Sequence, residues 1–157
     1  MRRFYAQPDG LFNVFKERAT VTIKDRLDDI DEDIRRVVIE LNELSGVAPV
    51  WSCASHPETR KVSDRKMHVI CAVNQEGAEQ LDQVYQEWST LLVDYGMFHV
   101  PNLTIARLVH PDFPFNESLT TNDLYYAVEL KVSNITTKRF KQAMLLSLEE
   151  AIRNVSF

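Results

Sequence analysis

Leu124-Tyr125-Tyr126-Ala127-Val128-Glu129-Leu130-Lys131-Val132 is the stretch on which the fold class turns. It has no Gly or Pro and is rich in β-branched and aromatic side chains. Leu124, Tyr126, Val128, Leu130 and Val132 point one way; Tyr125, Ala127, Glu129 and Lys131 point the other. A period of two with one apolar face is the pattern of a strand in a largely antiparallel sheet, covered on one side only.

Downstream, the period changes to that of a helix. A helix starting near Thr136 would bury Phe140, Met144, Leu148, Ala151, Ile152 and Val155 on one stripe. Upstream, Pro101 precedes a strand from Leu103 to Val109, and His110 to Asn122 reads as a long loop. Asn74 is placed to cap a helix carrying Ala78, Leu81, Val84, Tyr85, Trp88, Leu91, Leu92 and Tyr95, which stops at Gly96. Pro49–Ser55 and Met67–Val73 read as two further strands. Leu27, Ile30, Ile34, Val37, Val38, Leu41 and Leu44 form another apolar stripe, with acidic residues crowding its first turns and Gly46 as its C-terminal cap. Residues 1–19 show little periodicity, and Thr20–Ile23 reads as a short strand. Phe4, Tyr5, Leu11, Phe12, Val14 and Phe15 are too apolar for a free tail, so this irregular segment is expected to pack on the domain or on a partner chain.

The order is α-β-β-α-β-β-α. It implies one α+β domain over 1–157, with a mainly antiparallel four-stranded sheet and helices packed on one face. His56-Pro57-Glu58 and His110-Pro111-Asp112 follow the first strand of each αββ unit, which points to a pseudo-twofold αββ repeat. Each β-β connection runs to about a dozen residues, well beyond a hairpin's usual two to five, and long loops often carry function.

The 157 residues are 45% hydrophobic and 26% charged, with net charge −5. A chain of this size can build a core without disulfides or metal. Its acidity argues against a broad nucleic-acid surface. No apolar run is long enough to span a membrane, and no secretion signal core follows Met1-Arg2-Arg3-Phe4-Tyr5. The chain therefore reads as cytoplasmic. In that setting Cys53 and Cys71 are expected as free thiols, although they fall on neighbouring strands. The Asn-X-Ser/Thr matches at Asn102, Asn116 and Asn134 are then chance.

Chemistry concentrates in Trp51-Ser52-Cys53-Ala54-Ser55-His56-Pro57-Glu58-Thr59-Arg60-Lys61. Strand alternation turns Trp51, Cys53 and Ser55 to one face and Ser52 and Ala54 to the other. Cys53 and His56 can then meet at the strand's exit, as thiol and base or as half of a zinc site. No Cys-x-x-Cys or His-x-x-x-His supplies further ligands, so no metal is expected; if one bound, Cys53, His56, Cys71 and His68 would be the candidates. Arg60, Lys61, Arg65 and Lys66 make a basic loop beside His56, suited to phosphate or acidic groups. Lys138, Arg139 and Lys141 stand against the dipole of the last helix, which marks a contact with an anion or partner. The acidic run Asp25–Asp33 lacks EF-hand spacing and reads as a solvated helix start. P-loop, Gly-x-Gly-x-x-Gly, Gly-x-Ser-x-Gly and His-Glu-x-x-His motifs are absent.

From about Ile34 to Glu58, the helix, glycine turn and strand ending Ser52-Cys53-Ala54-Ser55-His56-Pro57-Glu58 resemble a Ser-Cys-x-Gly-His-Pro-Glu segment of small phage and bacterial proteins of unknown function. Ser55 stands where glycine is usual. The resemblance implies a phage-encoded accessory protein. The segment is more distantly similar to Ser-Ser-Cys-Ser-Gly-Arg in wybutosine-synthesis methyltransferases of the third step; those have Gly-Arg where this chain has Ser55-His56, so their tRNA-modifying role is not carried over. The element order resembles that of pterin carbinolamine dehydratases, but His56-Pro57 follows a strand and lacks their preceding His.

The expectation is a non-enzymatic binding protein that forms a homodimer or higher oligomer and binds a small phosphorylated or nucleotide ligand, or a host protein, without a cofactor. An enzyme using Cys53 and His56 for group transfer is the alternative, and a structural subunit without a ligand pocket is the third. The ligand-binding candidates are Trp51, Ser52, Ser55, His56, Glu58, Arg60, Lys61, Arg65, His110, Asp112 and Phe113, on one rim of the sheet.

Overall fold

Alternation in four segments and helical periodicity in four others give a two-sided sheet. The structure is a computed structural model, and it describes residues 3–58, 61, 65–97, 101–109 and 124–155. In chain order the elements are α1 (Asp9–Asp25), two single-turn 3-10 helices (Leu27–Asp29 and Glu32–Ile34), α2 (Arg35–Glu43), β1 (Val47–Cys53), β2 (Met67–Val73), α3 (Gln75–Asp94), β3 (Asn102–Val109), β4 (Leu124–Val132) and α4 (Lys138–Val155). The strands form one antiparallel sheet in the order β1-β2-β4-β3. No described helix is long and apolar enough to cross a membrane.

The expected α+β class, strand directions and the αββαββα order of α2 to α4 hold. Helices α2, α3 and α4 cover one face of the sheet. Met67, Val69, Cys71 and Val73 of β2 and Val128, Leu130 and Val132 of β4 meet Val37, Val38, Leu41, Leu81, Trp88, Met144 and Leu148 there. Trp88 is fully buried and donates its indole N–H to Ser147 Oγ at 2.9 Å, which tethers α3 to α4. The strand order does not establish the pseudo-twofold repeat, and its second His-Pro step lies outside the described residues.

The N-terminal segment overturns two expectations. From Asp9 onward it is not irregular, and Thr20–Ile23 is not a strand: both stretches belong to the 17-residue helix α1, Asp9–Asp25. Phe12, Phe15 and Ala19 form a narrow buried stripe at helical spacing. Thr20 and Thr22 are accommodated because their hydroxyls fold back onto the carbonyls of Lys16 and Arg18, each at 2.9 Å. Helices are therefore not confined to one face. α1 lies on the other, where Phe12, Phe15 and Ala19 pack on Ala48 and Ala72, with Val50 and Leu108 alongside. Phe15 meets Tyr125 edge-on at 6.4 Å. Phe12 and Phe15 are thus covered within the chain, which removes the need for a partner copy to cover them.

The first apolar stripe also begins later than expected. Regular helix starts at Arg35, because two 3-10 turns, Leu27–Asp29 and Glu32–Ile34, joined by extended Ile30 and by Asp31, precede it. Gly46 is not a left-handed cap; Gly96 is the one described glycine at positive φ. The carbonyls at the end of α2 are satisfied instead by the Lys16 ammonium, which donates to Asn42 O, to Leu44 O at 2.9 Å and to Val47 O at 2.6 Å. Burial lowers the pKa of that lysine, against a raising influence from Cys71.

Candidate functional site

The register places the site. Along β1 the pairing with β2 slips between Pro49 and Trp51, a bulge at Val50. Pro49 pairs with core-facing Cys71, so uninterrupted alternation would send Trp51 and Cys53 to the core as well. The extra residue reverses the phase. Trp51 is brought opposite Ile70 and Cys53 opposite His68, both on the α1 side of the sheet. Cys71 stays buried on the helix side, so the two thiols face opposite ways and are free. Burial pushes the Cys71 thiol up to about 12, partly offset by Lys16.

Two adjacent rows then cross the α1 side of the sheet. One runs Trp51, Ile70, Glu129, Thr104; the other runs Cys53, His68, Lys131, Asn102. Glu129 sits among basic side chains. His68 Nδ1 lies 2.7 Å from its Oε2, Lys66 Nζ 3.5 Å from Oε2 and Lys131 Nζ 3.5 Å from Oε1. Burial acts to raise the Glu129 carboxyl, but the His68 hydrogen bond and the charges of Lys66, His68 and Lys131 outweigh it and hold it below its ordinary value. Two ammonium groups converge on one carboxylate, leaving local positive charge on two central strands.

Next to this cluster a mainly apolar groove of about 740 Å³ runs between α1 and the sheet and round the β1 edge. Trp51, Ile70 and Leu108 lie on its sheet side, and Phe15, Ala19 and Thr22 on its helix side. Trp51 is 64% exposed.

A second constellation sits where β1 ends. Ser55 is buried at φ 76°, a left-handed turn that glycine would adopt without strain. The turn reverses the chain after Ala54, whose side chain enters the core, and presents His56. His56 Nε2 lies 3.2 Å from Asp31 Oδ2, and Nδ1 lies 3.5 Å from Glu58 Oε1. Asp31 Oδ2 also accepts the Ala54 backbone N–H at 3.3 Å. The donor atoms of Asp31, Cys53 and His56 all lie within 4.8 Å of one another. A hydrogen bond from its own backbone N–H lowers the Glu58 carboxyl; burial opposes this, and Lys141, His56 and Lys138 reinforce it.

Beneath the turn, Lys141 is buried and donates to Ser55 O at 3.1 Å, paired with Asp33 Oδ2 at 2.6 Å. The basic residue at the start of α4 is thus a brace for the turn, answered by Asp33 of the acidic segment. Asp33, His56, Glu58, Lys138 and Lys141 line a smaller polar groove against α4.

Of the sequence candidates, the structure brings His56 and Glu58 together beside Cys53. Trp51 belongs to the larger groove, and so does Ser52, which lines it at the β1 edge. Ser55 is a buried turn residue, its side chain withdrawn from the surface. Lys61 is exposed. Arg65 is half-buried, its backbone carbonyl accepts from Ile135 N–H at 2.9 Å, and its Nε is buried with no hydrogen-bond partner among the described residues. Arg60, His110, Asp112 and Phe113 lie outside the described residues. The sequence reading did not place Asp31, Glu129 or Lys131 in a site. The outward positions of two central strands held a signal for His68, Glu129 and Lys131: a polar residue at each where one covered face leaves the other open. Asp31 had no local signal, being 22 positions before Cys53.

No family model, curated protein or solved structure matches the chain.

Proposed function

We propose that the protein binds a small molecule with a flat ring system and an anionic group, a nucleotide being the fitting class. The observation that supports this reading is the juxtaposition of exposed Trp51 and Ile70 in the apolar groove with Lys66, His68 and Lys131 around Glu129. Trp51 and Glu129 are two strands apart, and strands repeat at about 4.8 Å, so the aromatic and basic ends are separated by roughly 10 Å. A nucleoside phosphate spans such a gap. Its base would stack on the indole, and its phosphate would take charge-assisted hydrogen bonds from the lysines. The groove's volume lies within the common range for small-molecule sites, roughly 300–1,000 Å³.

The test uses the contrast between the two tryptophans. Trp88 is buried, so quenching of emission on adding adenosine 5′-monophosphate would report Trp51. Saturable quenching, weakened at least about tenfold by Lys131→Ala and abolished by Trp51→Phe, is the expected result; one charged contact is worth about 1.5–3 kcal/mol. Inorganic phosphate should compete weakly. Absence of quenching by adenine and guanine nucleotides at millimolar concentration, or binding indifferent to Lys131→Ala, would remove the reading.

A further inference from the structure

We propose that Asp31, Cys53 and His56 form a binding site for a zinc ion, held by one carboxylate, one thiolate and one imidazole, with a fourth position open. The three donor atoms lie within 4.8 Å of one another. Zinc bonds of about 2.0–2.3 Å in a tetrahedron set donors about 3.3–3.8 Å apart. Closing the site therefore takes movements of about 1 Å, within reach of side-chain rotation. His56 Nε2 and Asp31 Oδ2 are already 3.2 Å apart.

The surroundings fit a metal site beyond the three donors. Metal-bound histidines generally turn their second nitrogen to a carboxylate or carbonyl, which fixes the tautomer. Here Nδ1 of His56 faces Glu58 at 3.5 Å while Nε2 faces Asp31. Asp31 is itself steadied by the Ala54 N–H at 3.3 Å. Each donor is set by a separate element: Cys53 by the β1 bulge, His56 by the left-handed turn at Ser55, Asp31 by the start of the second 3-10 turn. The turn is braced from below by Lys141.

The donor set selects the ion. A thiolate and an imidazole disfavour magnesium and calcium, which take oxygen ligands, and suit zinc. Structural zinc sites close with four protein ligands, whereas three ligands and an exchangeable fourth position are the pattern of a site that handles a ligand. Both imidazole nitrogens of His56 face carboxylates, Nε2 towards Asp31 and Nδ1 towards Glu58, as in a histidine held for metal ligation.

The test titrates the chelator-treated full chain with zinc chloride by calorimetry and with cobalt chloride by absorption. One ion per chain is expected, with a thiolate-to-cobalt charge-transfer band that zinc bleaches. Cys53→Ser should remove the band and weaken zinc by at least about a hundredfold, and Glu58→Gln should weaken it by about tenfold. Cys71→Ala should change neither. Circular dichroism of each variant would separate loss of ligand from loss of fold. The proposal is overturned if cobalt gives no charge-transfer band, if the band survives Cys53→Ser in a folded protein, or if Cys53 alkylates rapidly with a His56-dependent pH profile and zinc does not protect it. Nucleotide quenching of Trp51 in chelator-treated protein reads the other site, so each idea can fail alone.

Discussion

Gly77 lies so close to Gly46 that a β-carbon on Gly77 would sit 1.7 Å from the Gly46 carbonyl oxygen. The first turn of α3 is seated directly on the α2–β1 turn, backbone against backbone. Asn74 secures the contact from both sides: its N–H donates to Gly46 O at 3.2 Å, and its Oδ1 accepts from Gly77 N–H at 2.9 Å. Gly77→Ala should therefore cost at least about 2 kcal/mol, in the range of core overpacking, because the obstructing atom is backbone and cannot rotate away. Gly10→Ala is the control. A β-carbon at Gly10, in the first turn of α1, meets nothing within 4 Å, so that change should stabilise by about 0.5 kcal/mol through helix propensity. Urea denaturation of the two variants should give shifts of opposite sign; equal shifts would refute the contact.

Ser55 pays for its left-handed backbone with steric strain between its β-carbon and the neighbouring peptide. Ser55→Gly and Ser55→Ala both delete the buried hydroxyl, so comparing them isolates the backbone contribution. The glycine variant should be more stable than the alanine variant by about 1–2 kcal/mol. Thermal melting of the pair checks this, and equal midpoints would show that the turn relaxes to negative φ.

Much of the fold was legible because periodicity reports what each residue faces. Leu124–Val132 and Met67–Val73 are strands with the expected ends. Asn74 caps α3 as its side chain allowed. The N-terminal helix was hidden because Thr20, Val21, Thr22 and Ile23 favour a strand locally, and three buried residues on α1 make too thin a stripe to outvote them. The site was legible only in part. Trp51, Cys53, His56 and Glu58 stand in one local run, so their chemistry could be read along the chain. Lys66, His68, Glu129 and Lys131 converge through strand pairing, and Asp31 reaches Cys53 and His56 from a 3-10 turn, neither of which a local pattern encodes.

Glu149 should make stability depend on pH. Burial raises its pKa from the ordinary 4.5, the charge of Glu40 adds to this, and Arg36 and Arg153 offset it in part. The folded state then holds that proton more tightly than the unfolded chain does. Stability linked to this group is present below about 4.5, falls as pH rises through the raised value, and stays lower above it. Glu149→Gln does not titrate. Its advantage over the parent should be absent at acid pH, grow with pH and then level off. Urea midpoints of both proteins across that range test the sign; an advantage that shrinks with rising pH would contradict it.

The two thiols should react in separate populations. Cys53 is half-buried at the end of β1, while Cys71 is enclosed between β2 and the helices with its pKa pushed up to about 12. Thiolate is the reactive form, so at pH 8 only about one Cys71 in ten thousand would be ionised even if reagent reached it. Burial adds a second barrier, because the sheet must open before a disulfide reagent can enter. Chelator-treated native protein exposed to Ellman's reagent should release one equivalent in a fast phase, mapped to Cys53 by mass spectrometry. The second equivalent should appear only on adding denaturant, or at a rate set by opening of the sheet. Cys53→Ser should abolish the fast phase and leave the slow one intact. Two fast equivalents from folded protein would mean that Cys71 is reachable, and that the phase reversal at Val50 does not separate the thiols onto opposite faces.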